Sequence, residues 1–198
     1  MNSNALSYSE EEEKKLIREK SSKPMLWLGM VSMMMLFGGF SSAYIVSYHS
    51  AKWLKFELPQ LFYVSTAVII LSSVTMNMAL SAAKKDNYAA VKRFTLITLL
   101  LGIVFVVCQF KAWSFLVSQG IYFTGKTSNA SGSYLYVLTA LHLLHLAGGL
   151  ISLAVVWVNA GRKKYNSSNL LGIQLSAIFW HFLDVLWIYL FVFLNVIR

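Results

Sequence analysis

Residues 170–196 read LLGIQLSAIFWHFLDVLWIYLFVFLNV, an apolar stretch whose one formal charge is that of Asp184. A helix needs about 20 apolar residues to cross the hydrocarbon core of a bilayer, and this stretch exceeds that length. It lacks the alternation of apolar and polar residues that is typical of a strand in a membrane barrel. The stretch therefore predicts a transmembrane α-helix, because a helix satisfies its own backbone amides in lipid.

Four similar apolar runs precede this one, and the overall composition of the chain agrees with them. Of its 198 residues, 57% are hydrophobic and 13% are charged, whereas soluble domains carry about 25% charged residues. We expect an all-α, polytopic membrane helical bundle of five transmembrane helices in residues 25–198, preceded by a polar cytoplasmic tail at 1–24. The expected spans are about 25–48, 59–82, 94–117, 134–159 and 170–196.

The distribution of the formal net charge of +9 along the chain favours membrane topology over nucleic-acid binding. The basic residues lie in short clusters between the apolar runs, and Lys and Arg are enriched in the short cytoplasmic loops of membrane proteins. With the N-terminus inside, twelve of the 17 basic residues fall on the cytoplasmic face and four on the other, while Lys111 lies within the third span. We therefore expect a cytoplasmic N-terminus, a C-terminus outside and no nucleic-acid partner.

Few ionisable side chains lie within the expected spans, and each of them requires a partner or a function because charge is costly in the hydrocarbon. They are Lys111 in the third span, His142 and His145 in the fourth, and His181 and Asp184 in the fifth. The two pairs in spans four and five have i, i+3 spacing, which places the members of each pair on neighbouring positions of one helix surface.

Three interpretations of these groups are open. Imidazoles are common haem and metal ligands, although three histidines at this spacing match a haem or haem-copper centre poorly. A buried Asp–His pair could relay protons or ions, although the broken helices typical of transporters are not visible. The third interpretation is structural: hydrogen bonds from these groups join helices four and five. It predicts a bond from Asp184 to His142 or His145, because consecutive helices with a short loop are antiparallel neighbours.

Several motifs in these helices resemble those of subunit III of haem-copper respiratory oxidases. Residues 179–187, FWHFLDVLW, are similar to the W-H-F-x-D-x-x-W signature of that family's last helix and include Trp180 and Trp187. Residues 138–146, LTALHLLHL, are similar to its T-G-x-H-x-x-H-V motif. The match extends over about residues 25–196, and its earlier elements are Leu28-Gly29-Met30, Leu36-Phe37-Gly38-Gly39, Tyr48-His49-Ser50, Leu71-Ser72-Ser73 and Gln109 of a Q-x-x-E-Y motif.

The chain departs from the family pattern at two glutamate positions. Met33 follows Ser32 where the family usually has the glutamate of S-E-x-x-x-F, and Ala112 stands where the family has the glutamate of Q-x-x-E-Y. Longer members of the family also carry two further N-terminal helices that form one wall of a lipid-filled cleft. The chain therefore resembles the five-helix bacterial form.

The resemblance implies an accessory subunit of a proton-pumping haem-copper terminal oxidase that reduces O₂ to water. In that role the chain binds no redox centre or metal itself; the haem and copper belong to oxidase subunits I and II, and the chain stabilises subunit I. Bound phospholipid, membrane lipids, further small subunits or a respiratory supercomplex, and a bacterial inner (cytoplasmic) membrane are further expectations. The alternatives are a subunit III-like component of a nitric oxide reductase and, from a different class, a small haem-binding membrane cytochrome.

The charge bias leads to a topology prediction. A tag at the C-terminus should be accessible from outside the cytoplasm, whereas a tag inserted at 162–164 should not, because the basic loops stay inside. Protease or alkylation mapping of intact cells measures both, and the reverse accessibility would contradict the orientation while leaving the number of spans unchanged.

Overall fold

In a computed structural model the chain forms five α-helices and, within the described residues, no β-strand. The structure describes residues 3–48, 58–125, 129–162, 165 and 170–197, with α1 side chains described at 17 and from 20 onward. The helices are α1 (Ser3–Ser47), α2 (Gln60–Lys84), α3 (Tyr88–Ser118), α4 (Ala130–Gly161) and α5 (Leu171–Val196). Each contains a segment long and apolar enough to cross a membrane. The expected all-α bundle of five transmembrane helices is confirmed.

The helices extend beyond the expected spans at several ends. The first helix begins at Ser3, so the backbone of the polar tail continues into the membrane segment, which runs from Lys20 to Ser47. The third helix begins at Tyr88 rather than 94, because the Asn87 side chain caps it by accepting a hydrogen bond from the Ala90 backbone N–H at 3.1 Å. Several residues used in the topology prediction and the motif comparison lie outside the described residues: His49, Lys52, Lys55, Lys126, Lys163, Lys164 and Arg198.

Four of the helices form a closed ring, and the first helix lies outside it. Within the ring, the backbone of each helix lies next to those of two others, in the order α2–α3–α4–α5 and back to α2, while side chains of α3 and α5 meet inside the ring. The α1 helix packs on α4 and α5, and in the described part of the chain none of its Cα atoms lies within 8 Å of one in α2, its neighbour in sequence. The α2–α3 connection is a tight turn in which Asp86 adopts a positive φ of 55°, a conformation that Asp tolerates better than most residues.

The core of the ring consists of aromatic side chains around two tryptophans of α5. Trp180 and Trp187 are both fully buried. The Trp187 ring stacks on Phe62 at 5.8 Å and meets the edge of Phe105 at 4.9 Å between ring centroids. These offset and edge-to-face arrangements suit the charge distribution of aromatic rings. The indoles therefore hold α2, α3 and α5 around one centre.

Two glycines make room for the Trp180 ring. A Cβ atom at Gly102 would lie 2.7 Å from Trp180 Cη2, and a Cβ atom at Gly149 would lie 2.8 Å from Leu183 Cδ1 and 3.3 Å from Trp180. By contrast, a Cβ atom at Gly148 would have no neighbour within 4 Å. Small residues allow transmembrane helices to approach closely, and in α3 and α4 the bundle uses Gly102 and Gly149 in this way.

This difference predicts the effects of two matched substitutions. Gly102→Ala should lower the free energy of unfolding relative to Gly148→Ala by about 1–3 kcal/mol, because only the first forces a methyl group into the Trp180 ring. Both variants gain the same helix propensity, so the difference between them reports the clash. Thermal unfolding of the purified variants in detergent measures this difference, and equal midpoints would contradict the close approach of α3 to Trp180.

Candidate functional site

Polar side chains form a row along the side of α2 that faces α3 and α5, which we call the α2 polar seam. Its members are Ser65, Thr66, Ser72, Ser73, Thr75 and Asn77. Most of its hydroxyl groups also donate to carbonyls of the preceding helical turn; Ser65 and Thr66 both donate to Phe62 O, at 3.0 and 2.7 Å. Because these hydroxyl hydrogens are used inside α2, their oxygens remain available as acceptors for neighbouring helices.

The two core tryptophans donate to this seam. Trp180 Nε1–H donates to Ser72 Oγ at 3.1 Å, and Trp187 Nε1–H donates to Thr66 Oγ1 at 3.0 Å. The two donors are about two helical turns apart, as are the two acceptors, so one face of α5 lies antiparallel to one face of α2. Each bond satisfies an indole N–H that would otherwise be buried without a partner.

The α3 helix contacts the same seam at two positions along the bundle. Gln109 Nε2 donates to Ser65 Oγ at 3.0 Å, and the hydroxyl oxygens of Thr75 and Thr98 lie 2.7 Å apart. Gln109 is fully buried, and its Oε1 has no hydrogen-bond partner among the described residues. The seam therefore links α2 to both of its ring neighbours.

His181 and Asp184 of α5 also face the seam. The His181 ring has Nδ1 2.7 Å from Ser73 Oγ and Nε2 3.1 Å from Asn77 Oδ1. With Nε2–H donating to the Asn77 carbonyl, a neutral imidazole accepts at Nδ1 from the Ser73 hydroxyl. Asp184 Oδ2 lies 3.9 Å from His181 Nδ1, beyond hydrogen-bond distance. The carboxyl group also lies beside Ser73, yet neither of its oxygens has a hydrogen-bond partner in the described part of the chain.

The predicted hydrogen bond from Asp184 to His142 or His145 is wrong. The His142 ring lies between Phe105 and Trp187, at 5.9 and 5.2 Å, and neither of its nitrogens bonds to a described residue. His145 Nδ1 lies 2.8 Å from the Leu141 carbonyl oxygen of its own helix. The helices are neighbours as expected, but α5 is rotated so that His181 and Asp184 face α2. Trp180 and Trp187, which donate to α2, lie on the same side of α5.

The other residues singled out in the sequence lie at separate places. Lys111 is exposed on the outside of α3, and Met33 is half-buried in α1. Ala112 is fully buried, and the adjacent Trp113 donates from Nε1 to Thr139 Oγ1 at 3.1 Å. The structure thus does not bring Lys111 together with the histidines and Asp184.

The geometry favours interhelical bonding over ligand chemistry. Within the described ranges, no group of three His, Cys, Asp or Glu side chains could hold a metal ion. Most of the polar atoms of the seam are used in bonds between α2 and α3 or between α2 and α5. The unpaired polar atoms of His142 and Asp184 lie on different helices and are not within hydrogen-bond distance of each other.

Most of the seam was not singled out in the sequence. The sequence motifs contain Ser72, Ser73 and their partners Trp180 and His181, but they do not pair these residues, and they do not contain Ser65, Thr66, Thr75 or Asn77. The available signal was the recurrence of small polar residues at 65–66 and 72–73, about two turns apart on one face of an apolar helix. This periodicity predicts a polar helix interface, although it does not identify the partner helix.

Comparison with known proteins agrees with the motif pattern. A family model described as cytochrome c oxidase subunit III matches residues 24–197. A probable cytochrome c oxidase subunit 3 of Nocardia farcinica is 32% identical over 184 residues, which cover 88% of this chain and 86% of that protein. A protein of the same name in Mycobacterium leprae is 32% identical over 179 residues, with the same coverage of both chains.

The seam predicts contrasting effects for two substitutions in the core. Ser72→Ala should lower the thermal midpoint in detergent, because it leaves the Trp180 N–H without an acceptor; such bonds in membranes contribute about 0.6 kcal/mol on average and up to about 1.7. Asp184→Leu should leave the midpoint unchanged or raise it, because it removes a buried carboxyl group that has no bond. A loss for Asp184→Leu equal to that for Ser72→Ala would show that the carboxyl group has a stabilising partner.

Proposed function

Since the chain belongs to the cytochrome c oxidase subunit III family, we propose that it assembles with oxidase subunits I and II and stabilises subunit I. The haem and copper of the complex belong to those partner subunits. The observation that carries this proposal is the family match, which extends over residues 24–197 and so includes all five membrane segments. The assembled complex reduces O₂ to water and pumps protons.

The polar seam agrees with a structural rather than a catalytic role in the complex. Its hydroxyl groups, indoles and amides bond to one another across α2, α3 and α5, so they are not arranged around a substrate. The chain then contributes a rigid surface to the complex. Neither a subunit of a nitric oxide reductase nor a small haem-binding cytochrome is favoured by these observations or by the family match.

The distribution of basic side chains supports the proposed orientation in a bacterial cytoplasmic membrane. The C-terminal ends of α2 and α4 and the N-terminal ends of α1 and α3 meet at one end of the bundle. The basic residues described at that end are Lys20, Lys23, Lys84, Lys85, Lys92, Arg93 and Arg162. Described residues at the opposite end include no Lys or Arg. By the positive-inside rule, the basic end lies in the cytoplasm.

Purification of the tagged chain from native membranes in a mild detergent tests the assembly. Oxidase subunits I and II should co-purify in equal proportion, together with the visible spectrum of their haems. Once the chain is stripped from the complex, the haem spectrum should stay with subunits I and II, and subunit I should unfold at a lower temperature. A Soret band retained by the isolated chain, or a complex without an oxidase subunit I, would contradict the proposal.

A further inference from the structure

The outward face of α5 forms the floor of a groove between α1 and α2. Both of these helices contact α5, but in the described part of the chain their backbones do not approach each other within 8 Å between Cα atoms. On the α1 side the groove includes a cavity of about 310 Å³ between Met34 and Gly38 of α1 and Val185 and Tyr189 of α5. Val185 is 65% exposed, so this floor is open along the bundle. We call this region the α5 groove.

The edge of the groove on the α2 side is polar at hydrocarbon depth. The exposed His181–Asn77 hydrogen bond lies there, at the boundary between α5 and α2. At 1.5 Å per residue, His181 lies about 4 Å and Asn77 about 8 Å from the midpoints of their helices, well inside a half-thickness of about 15 Å. Asn77 is exposed, and its amide N–H groups bond to none of the described residues. Lipid tails offer no acceptor for these donors, so a hydrogen-bond acceptor from a partner would remove an energetic cost at this position.

The edge of the groove on the α1 side leaves space for another helix to approach closely. A Cβ atom at Gly38 would have no neighbour within 4 Å, and neither would one at Gly39. In α3 and α4 the Trp180 ring occupies the space next to Gly102 and Gly149, whereas a Cβ atom at Gly38 would meet no described atom within 4 Å. Transmembrane helices associate through such small residues combined with interhelical hydrogen bonds.

We propose that a transmembrane helix of a partner subunit docks in the α5 groove. It lies against Gly38 and Val185, and one of its side chains or carbonyls accepts a hydrogen bond from Asn77. This inference rests on the proposed function, from which it takes the existence of membrane-embedded partners, and it assigns the face of the bundle that they use. A phospholipid tail would fill the apolar part of the groove but would leave the Asn77 amide unpaired.

A photo-reactive residue placed in the groove tests what occupies it. A benzophenone side chain at Val185, activated in native membranes, should form an adduct with a transmembrane segment of an oxidase subunit, identified by peptide mass spectrometry. The same side chain at Ile151, which is 67% exposed on α4, is the matched control and should give at most a tenth of that protein adduct. Adducts with phospholipid alone, no adduct, or equal protein adducts at both positions would overturn the proposal.

The identity of the adduct separates this inference from the proposed function. A Val185 adduct with a transmembrane segment of another protein, in a preparation that lacks oxidase subunits I and II, would retain the groove as a helix-docking site and contradict the proposed function. Co-purification of oxidase subunits I and II without a Val185 protein adduct would retain the proposed function and overturn the proposal that a helix docks in the groove.

Substitution of two glycines with equally open surroundings provides a second test. Gly38→Leu should reduce the amount of co-purified partner subunits at least tenfold, because the side chain occupies the space of the docked helix. Gly148→Leu, on the exposed side of α4, should leave it unchanged. In neither substitution does the Cβ atom meet a described atom within 4 Å. Equal membrane levels and thermal midpoints of the two isolated chains verify folding. Full retention of partners by Gly38→Leu, or equal loss in both variants, would overturn the proposal.

Discussion

Two indole–hydroxyl hydrogen bonds, from Trp180 to Ser72 and from Trp187 to Thr66, hold the rest of this bundle in place. Apolar helices gain little from burying apolar surface against one another in lipid, because the lipid tails are equally apolar. Close packing and interhelical hydrogen bonds must then decide which helices pair. These two bonds join α2 to α5, the pair that closes the ring, and they place both tryptophan rings in its centre.

The position of the tryptophans determines which residues elsewhere must be small. Gly102 of α3 and Gly149 of α4 both lie against Trp180, so the rotation of α5 constrains two helices that the two indole hydrogen bonds do not reach. The rotation also turns His181 and Asp184 toward α2 and leaves His142 among aromatic rings. An accessory subunit of a haem-copper oxidase needs a stable shape rather than a reactive centre, and the internal use of its polar groups agrees with that role.

The candidate site was predictable in part. Trp180, Trp187, Ser72 and Ser73 could be singled out because they lie in motifs, yet nothing in either motif states that one donates to the other. The proposed Asp184–histidine bond failed for a related reason. Adjacency along the chain correctly predicts that α4 and α5 touch, but it does not give the angle at which α5 faces α4, and a rotation of one residue step changes the neighbour of a side chain.

The amino-acid sequence by itself determined that the protein is a five-helix membrane bundle and which family it resembles. Both depend on local properties: the length of an apolar run decides whether a helix spans the bilayer, and a motif is read from consecutive residues. Only the tertiary structure decided that α2 pairs with α5, that α1 stays outside the ring, and that Asn77 and Gly38 border an open groove. Helix rotation and neighbour choice arise from contacts between residues far apart in the chain, and these contacts exist only when all the helices pack together.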